Sequence, residues 1–218
     1  METDYVFILK ITILLNIVSY WINNILSIRK PHLSNKSKQV SNYLTCCLFQ
    51  FILIVLYSYN KYNNYLIELM IGYFIWDIIY FTYIEDALFS KGMLFHHASS
   101  LLFLNLIRSA FETDAIIYMN NIIYYMEFPN LLSNLSMFLC HYKIINFKSF
   151  EFCILNITYL LFFAYHRFYC FTCELYALLI YNSYFQLSLI YIGLLIFIPL
   201  NIRLFYNKFV FFINKCFC

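Results

Sequence analysis

Seven apolar runs, separated by short polar segments, occupy most of this chain: Tyr5–Ile28, Tyr43–Tyr59, Tyr65–Ile84, Gly92–Ile107, Ala115–Leu139, Phe150–Phe168 and Tyr176–Phe205. A helix that crosses a bilayer needs ~20 mostly apolar residues, and these runs have about that length. The pattern therefore predicts an all-α integral membrane protein of about seven spans. Polar residues inside the runs fall at helical spacing. Asn120, Glu127, Asn134 and His141 recur every seven residues in the fifth run, nearly two helical turns apart, and so share one face. Thr12, Asn16, Ser19 and Asn23 form a similar stripe in the first run, which reads as a packing face.

Composition agrees with the pattern. The 218 residues are 63% hydrophobic, 22% aromatic and 11% charged, whereas a soluble domain carries about 25% charged residues. No polar block is long enough for a second domain. The expected organisation is a first span with a basic loop (1–42), a helical membrane domain (43–206) and a short tail (207–218). Net charge is +3, and its basic residues lie in short loops, so nucleic acid is not an expected partner. Arg29, Lys30, Lys36, Lys38, Lys91, Lys143, Lys148, Arg203, Lys208 and Lys215 all fall on one side of a seven-span arrangement. By the positive-inside rule that side is cytosolic, the amino terminus is lumenal and the carboxyl terminus cytosolic. The sequon Asn35-Lys36-Ser37 lies in the first basic loop and is expected to stay unmodified.

The chemistry centres on His96-His97, adjacent histidines inside the fourth run. An ionisable side chain at membrane depth is costly and normally faces a protein interior or a wet cavity. Adjacent helical positions point about 100° apart, so the two imidazoles cannot share one role. Asp77 in the third run lies ~12 Å inside the cytosolic face and the histidines ~8 Å inside. Glu127 lies near mid-membrane, where a carboxyl group must be protonated or paired, and the histidines are its expected partner. Pro129 follows within a turn and frees a backbone carbonyl toward the same space. Arg167, near the end of the sixth run, has two readings, a pocket role or snorkelling to the head groups. Helix-to-helix hydrogen bonding is the structural reading of the Asn120/Glu127/Asn134 stripe. Cys170-x-x-Cys173 is placed in a loop as a disulfide or redox pair, or as ordinary cysteines; nothing predicts a metal site. Cys46, Cys47, Cys216 and Cys218 are candidates for reversible palmitoylation.

Taken in order, Gly72-Tyr73-Phe74-Ile75-Trp76-Asp77, His96-His97, Glu127 with Asn134, Arg167 after Phe162-Phe163, and Asn201 resemble the TLC-domain family, which includes the ceramide synthases. The resemblance runs from about Gly72 to Asn201. It is nearer to the small TLC-domain-containing proteins, because the His-Asp pair that ceramide synthases carry downstream of the two histidines is absent and Met126-Glu127 stands in that region. Pro129 also lies closer to Glu127 than in the usual pattern. The resemblance implies a six-helix bundle around a lipid-sized cavity plus one extra span, in the endoplasmic reticulum, with a role in membrane-lipid (sphingolipid or ceramide) balance. It assigns His96, His97, Glu127 and Asp77 as catalytic candidates, and Asn134, Asn120, Arg167 and Asn201 as lipid-binding candidates. Acyl transfer would use acyl-CoA as co-substrate and no other cofactor. Two further readings stay open: a non-catalytic lipid-binding protein with the same cavity, and a seven-helix receptor. The sequence also leaves a homo-oligomer open.

Overall fold

The computed structural model describes residues 4–29, 37–60, 65–83, 87–110, 116–181 and 184–216. Among them the chain is helical: α1 Tyr5–Arg29, α2 Ser37–Tyr59, α3 Tyr65–Tyr83, α4 Ala87–Ala110, α5 Ile116–His141, α6 Phe150–Phe163, a π-helical segment Ala164–Cys170, α7 Phe171–Tyr181 and α8 Tyr184–Cys216. The sequon residues Asn35 and Lys36, and Cys218, lie outside the described residues. Two helices, Tyr5–Ile28 and Ser37–Tyr59, are long and apolar enough to cross a membrane, each with a mean hydropathy of 1.8 over its most apolar window.

Local chemistry sets several helix ends. Asp4 Oδ1 accepts from the Phe7 amide at 2.8 Å, satisfying a donor that the first turn of α1 leaves free. Ser149 caps α6 through the Phe152 amide. Lys143 adopts a left-handed φ of 61° just past α5, and its amide donates back to Cys140 O, so the chain turns sharply toward α6.

The helices close a ring. α2 packs on α5, α5 on α6, α6 on α8, α8 on α4, α4 on α3, and α3 on α2, while α1 lies outside against α2 and α3. The all-helical class is as expected. The α1–α3 contact is close because Gly72 has no side chain. A Cβ there would lie 2.9 Å from Ile11 Cβ, and Thr12 Oγ1 donates to Gly72 O at 3.1 Å. Ser41 Oγ donates to Ser19 O at 2.7 Å, so the polar stripe of α1 serves packing, as the sequence indicates. The main apolar core joins Ile8 and Leu15 to Phe49, Leu53, Met70, Trp76, Leu104 and Ile123. On the outside, Val6, Leu9, Ile13, Ile17 and Trp21 of α1 are exposed, as are Phe51 and Val55 of α2.

Several boundaries differ from the sequence reading, among them the starts of α2 and α4, which lie six and five residues earlier than expected. The sixth run does not end near Phe168: the helix continues through the π segment to Tyr181, and α8 begins at Tyr184. Apolar runs merge where no polar break separates them, and composition alone misplaces the junction. Cys170 and Cys173 therefore lie on helix, as free thiols. Residues 207–216 extend α8, with Phe212 buried against Tyr159 and Phe163. Cys46 and Cys47 are buried and not placed for lipidation. The Cys216 and Cys153 sulfurs are 2.8 Å apart, joining the end of α8 to the start of α6.

Candidate functional site

Asp77 on α3 and His97 on α4 meet because these antiparallel helices pack together. His97 Nδ1 lies 3.2 Å from Asp77 Oδ2, with both side chains at most 5% exposed. Phe74, one turn before Asp77, sets its ring edge-on to His97 at 5.1 Å. The His96 ring lies perpendicular to that of His97 with centroids 5.3 Å apart, as the 100° offset of neighbouring helical positions requires. Asp77 thus places a carboxylate beside one imidazole nitrogen of His97.

Glu127 is held differently. Gln50 Nε2 and Asn130 Nδ2 each donate to Glu127 Oε2 at 3.1 Å, and Asn134 Nδ2 donates to Gln50 Oε1 at 3.1 Å. The expectation that a histidine shares a proton with Glu127 concerns a contact other than these amide bonds to Oε2. The carboxylate that His97 faces is Asp77, while two neutral amides satisfy Glu127 Oε2. Gln50, on α2, comes within reach because α2 and α5 pack closely along their length.

Arg167 does not reach for a head-group layer. It is buried, its Nε donates to Met126 O at 2.9 Å, and its Nη2 bonds the same carbonyl. Its Nη1 donates to Asn201 Oδ1 at 2.9 Å, and its guanidinium lies 4.7 Å from the Phe163 ring centroid. The π segment turns it inward: Phe171 N–H bonds His166 O, an i→i+5 step. Such widened turns recur at functional sites. The carbonyl that Arg167 uses belongs to the residue after Tyr125, whose own i+4 donor Pro129 removes.

These groups surround a cavity of ≈ 380 Å³ lined from α2, α3, α4, α5, the α6–π helix and α8, including Gln50, Asp77, His96, His97, Glu127, Asn134, Arg167 and Lys208. Gln39, Tyr43, Met137, Asn207 and Phe211 extend its lining toward the start of α2 and the ends of α5 and α8. Lys38, Lys143, Lys148 and Lys215 belong to that same end. A smaller, apolar pocket of ≈ 40 Å³ continues the other way between Met70, Phe103, Leu104, Met119 and Ile122, and shares His96 and Glu127 with the first. His96 and Glu127 therefore stand between the larger chamber and the small apolar pocket.

No protein-family model, curated protein or solved structure matches the chain. Its chemistry rests on this geometry. Of the residues singled out in the sequence, Asp77, His96, His97, Glu127, Asn134 and Arg167 line the large cavity. Asn201 instead orients Arg167, and also approaches Met126 Sδ at 3.9 Å. Asn120 is fully buried but lines neither cavity. Sequence reasoning missed Gln50, Cys46, Tyr73, Asn130 and Lys208. Asn42, Cys46 and Gln50 recur every four residues, a readable helical stripe. Tyr73 OH donates to Cys46 Sγ at 3.4 Å; nothing in the sequence signals that contact.

Proposed function

We propose that this chain is a multi-pass membrane protein that transfers an acyl group to a membrane lipid at the Asp77–His97 pair. The observation that carries the reading is a buried imidazole, His97, set beside the Asp77 carboxylate in the lining of a chamber of ≈ 380 Å³. The apolar outer faces of α1 and α2, the resemblance to TLC-domain proteins and the basic, cytosol-facing end of the chamber support the membrane setting. The endoplasmic reticulum is the compartment that the resemblance implies.

In this reading the Asp77 carboxylate beside Nδ1 orients the His97 imidazole, and Nε2 acts as general base. Nε2 takes the proton from the hydroxyl or amine of the acceptor lipid as its oxygen or nitrogen attacks the thioester carbonyl of acyl-CoA. The tetrahedral adduct collapses, the carbon–sulfur bond breaks, and the departing thiolate takes the proton back from the imidazolium. Glu127, held by Gln50 and Asn130, orients the acceptor by accepting a hydrogen bond. No metal or redox cofactor has a part in this sequence.

The test is incubation of the purified, full-length protein with labelled acyl-CoA and a panel of lipid amines and alcohols. A labelled acyl-lipid that forms with the wild type and not with His97→Ala supports the reading. Stoichiometric lipid capture without any acyl product would leave a lipid-binding protein instead.

A further inference from the structure

Lys208 has no place in the acyl-transfer chemistry, yet it belongs to the same chamber. It sits on α8, two turns beyond Asn201, and is half-buried rather than extended into solvent. Its Nζ donates to Ser133 Oγ at 2.8 Å and lies 5.9 Å from the Tyr159 ring centroid. An ammonium has three N–H donors, and among the described residues Ser133 Oγ is the only acceptor that Lys208 reaches. No carboxylate pairs with it or with Arg167 among the described residues, where Asp77–His97 is the ion pair. A sequestered cation without a counter-ion is unfavourable.

The other ionisable groups facing the chamber are already engaged. Asp77 faces His97, and Glu127 accepts from Gln50 and Asn130. His96 and His97 add no negative charge. The chamber thus holds two carboxylates, Asp77 and Glu127, and two cations, Arg167 and Lys208, with neither carboxylate in ion-pair distance of Lys208 among the described residues; Asn130, Asn134 and Asn207 add neutral hydrogen-bonding groups.

We propose that the mouth of this chamber binds the phosphate group of an amphiphile, with Lys208 Nζ as the primary contact and Arg167 as the second positive charge behind it. A phosphate accepts charge-assisted bonds from an ammonium, and Ser133 and Asn207 stand beside that position. Spacing along α5 separates the two parts of the ligand. Ser133 is six residues beyond Glu127, ~9 Å along the helix axis. A glycerophospholipid puts a few bonds between its phosphorus and its ester linkage, which keeps both inside the ≈ 380 Å³ chamber. The longer pantetheine arm of CoA would carry its phosphates past Lys208 and out of the mouth. The ligand is therefore a lipid phosphate, not the phosphates of CoA. This inference rests on reading the cavity as a lipid site, but it concerns binding and needs no turnover.

The experiment is equilibrium binding to the full-length protein in detergent, measured by calorimetry. The probes are a short-chain phosphatidic acid, the matching phosphatidylcholine, CoA and inorganic phosphate. Phosphatidic acid should bind most tightly and weaken as salt rises. Lys208→Gln should weaken it about tenfold, Lys208→Arg should restore most of the affinity, and Lys215→Ala, at the same end of α8 but outside the cavity, should leave it unchanged. Thermal unfolding of each variant shows that the fold is kept; if Lys208→Gln does not fold, Lys208→Met replaces it. Equal binding of phosphatidylcholine, full affinity in the folded Lys208→Gln variant, or saturation by inorganic phosphate or CoA in preference to the lipid would overturn the proposal. Binding through Lys208 without acyl transfer would leave this inference standing and remove the reaction. Transfer that is indifferent to Lys208 would do the reverse.

Discussion

Glu127 and Asp77 are both carboxylates buried among apolar helices, but their neighbours give them different work. Asp77 faces an imidazole at 3.2 Å, whereas Glu127 Oε2 accepts from two amides. Glu127→Gln keeps an oxygen that can accept from Gln50 and Asn130, so the fold should survive while acceptor orientation is lost. Glu127→Ala leaves those amides without an acceptor and should cost about 1–3 kcal/mol of stability. Expression level and thermal unfolding of the two variants check the difference; equal destabilisation would contradict it. At this scale the sequence was partly legible. A carboxylate and a histidine pair inside apolar runs stand out because charge is rare there. The pairing itself was not legible: Glu127 and Asp77 were both in reach of the histidines, and only the packing of α3 on α4 selects Asp77. Gln50 passed unnoticed because a single uncharged amide is a weak signal in a chain rich in asparagine.

Helix packing converts these residues into a site, and two contacts report on it. Gly72 lets α1 approach α3, where an added Cβ would meet Ile11 at 2.9 Å. Gly72→Val should force the helices apart and cost about 1–3 kcal/mol, seen as a lower thermal midpoint in detergent; an unchanged midpoint would mean that the contact is looser. Cys153 and Cys216 hold the start of α6 against the end of α8. Mild thiol oxidation should join them, closing an intramolecular loop seen as faster migration on a non-reducing gel and lost in Cys153→Ser. No crosslink would place α8 elsewhere. The helices themselves were readable from length and hydropathy: α1, α3 and α5 begin and end close to the expected positions, whereas α2 and α4 start six and five residues earlier than the apolar runs. The junction after α6 was not readable, because His166, Arg167 and Glu174 look like a break between runs although the helix continues through them, and the π segment that turns Arg167 inward has no compositional mark. The segment taken for a tail proved helical for a related reason: Phe209, Phe211 and Phe212 continue the apolar face of α8 past its basic residues.

Across the whole molecule, a six-helix ring with one outer helix encloses a chamber whose polar lining opens toward the basic end and whose far side is apolar. On the proposed topology that end faces the cytosol. Asn35, in the first basic loop, should then carry no glycan when the protein is made in the presence of a glycosylating membrane. A sequon engineered after Tyr59, in the second connection, should be modified. A glycan on Asn35 would invert the arrangement and turn the chamber toward the lumen. The ring and its enclosed polar stripe were legible as a class from the spacing of Asn120, Glu127 and Asn134. The bipartite cavity was not, because it depends on which faces of α2 and α8 turn inward.

The central claim is that the Asp77–His97 pair drives a lipid reaction. The most direct measurement is acyl transfer from labelled acyl-CoA by the wild type, His97→Ala and Asp77→Asn, each purified and matched for folded protein. Removing the base or disturbing its orientation should lower the rate by about 10²–10⁴-fold. Asp77→Asn should keep the fold, since an amide still bonds the imidazole. His97→Ala should cost up to about 3–5 kcal/mol of stability by leaving a buried carboxylate unpaired. The account predicts a labelled lipid product with the wild type and almost none with either variant; wild-type rates in both variants would contradict it.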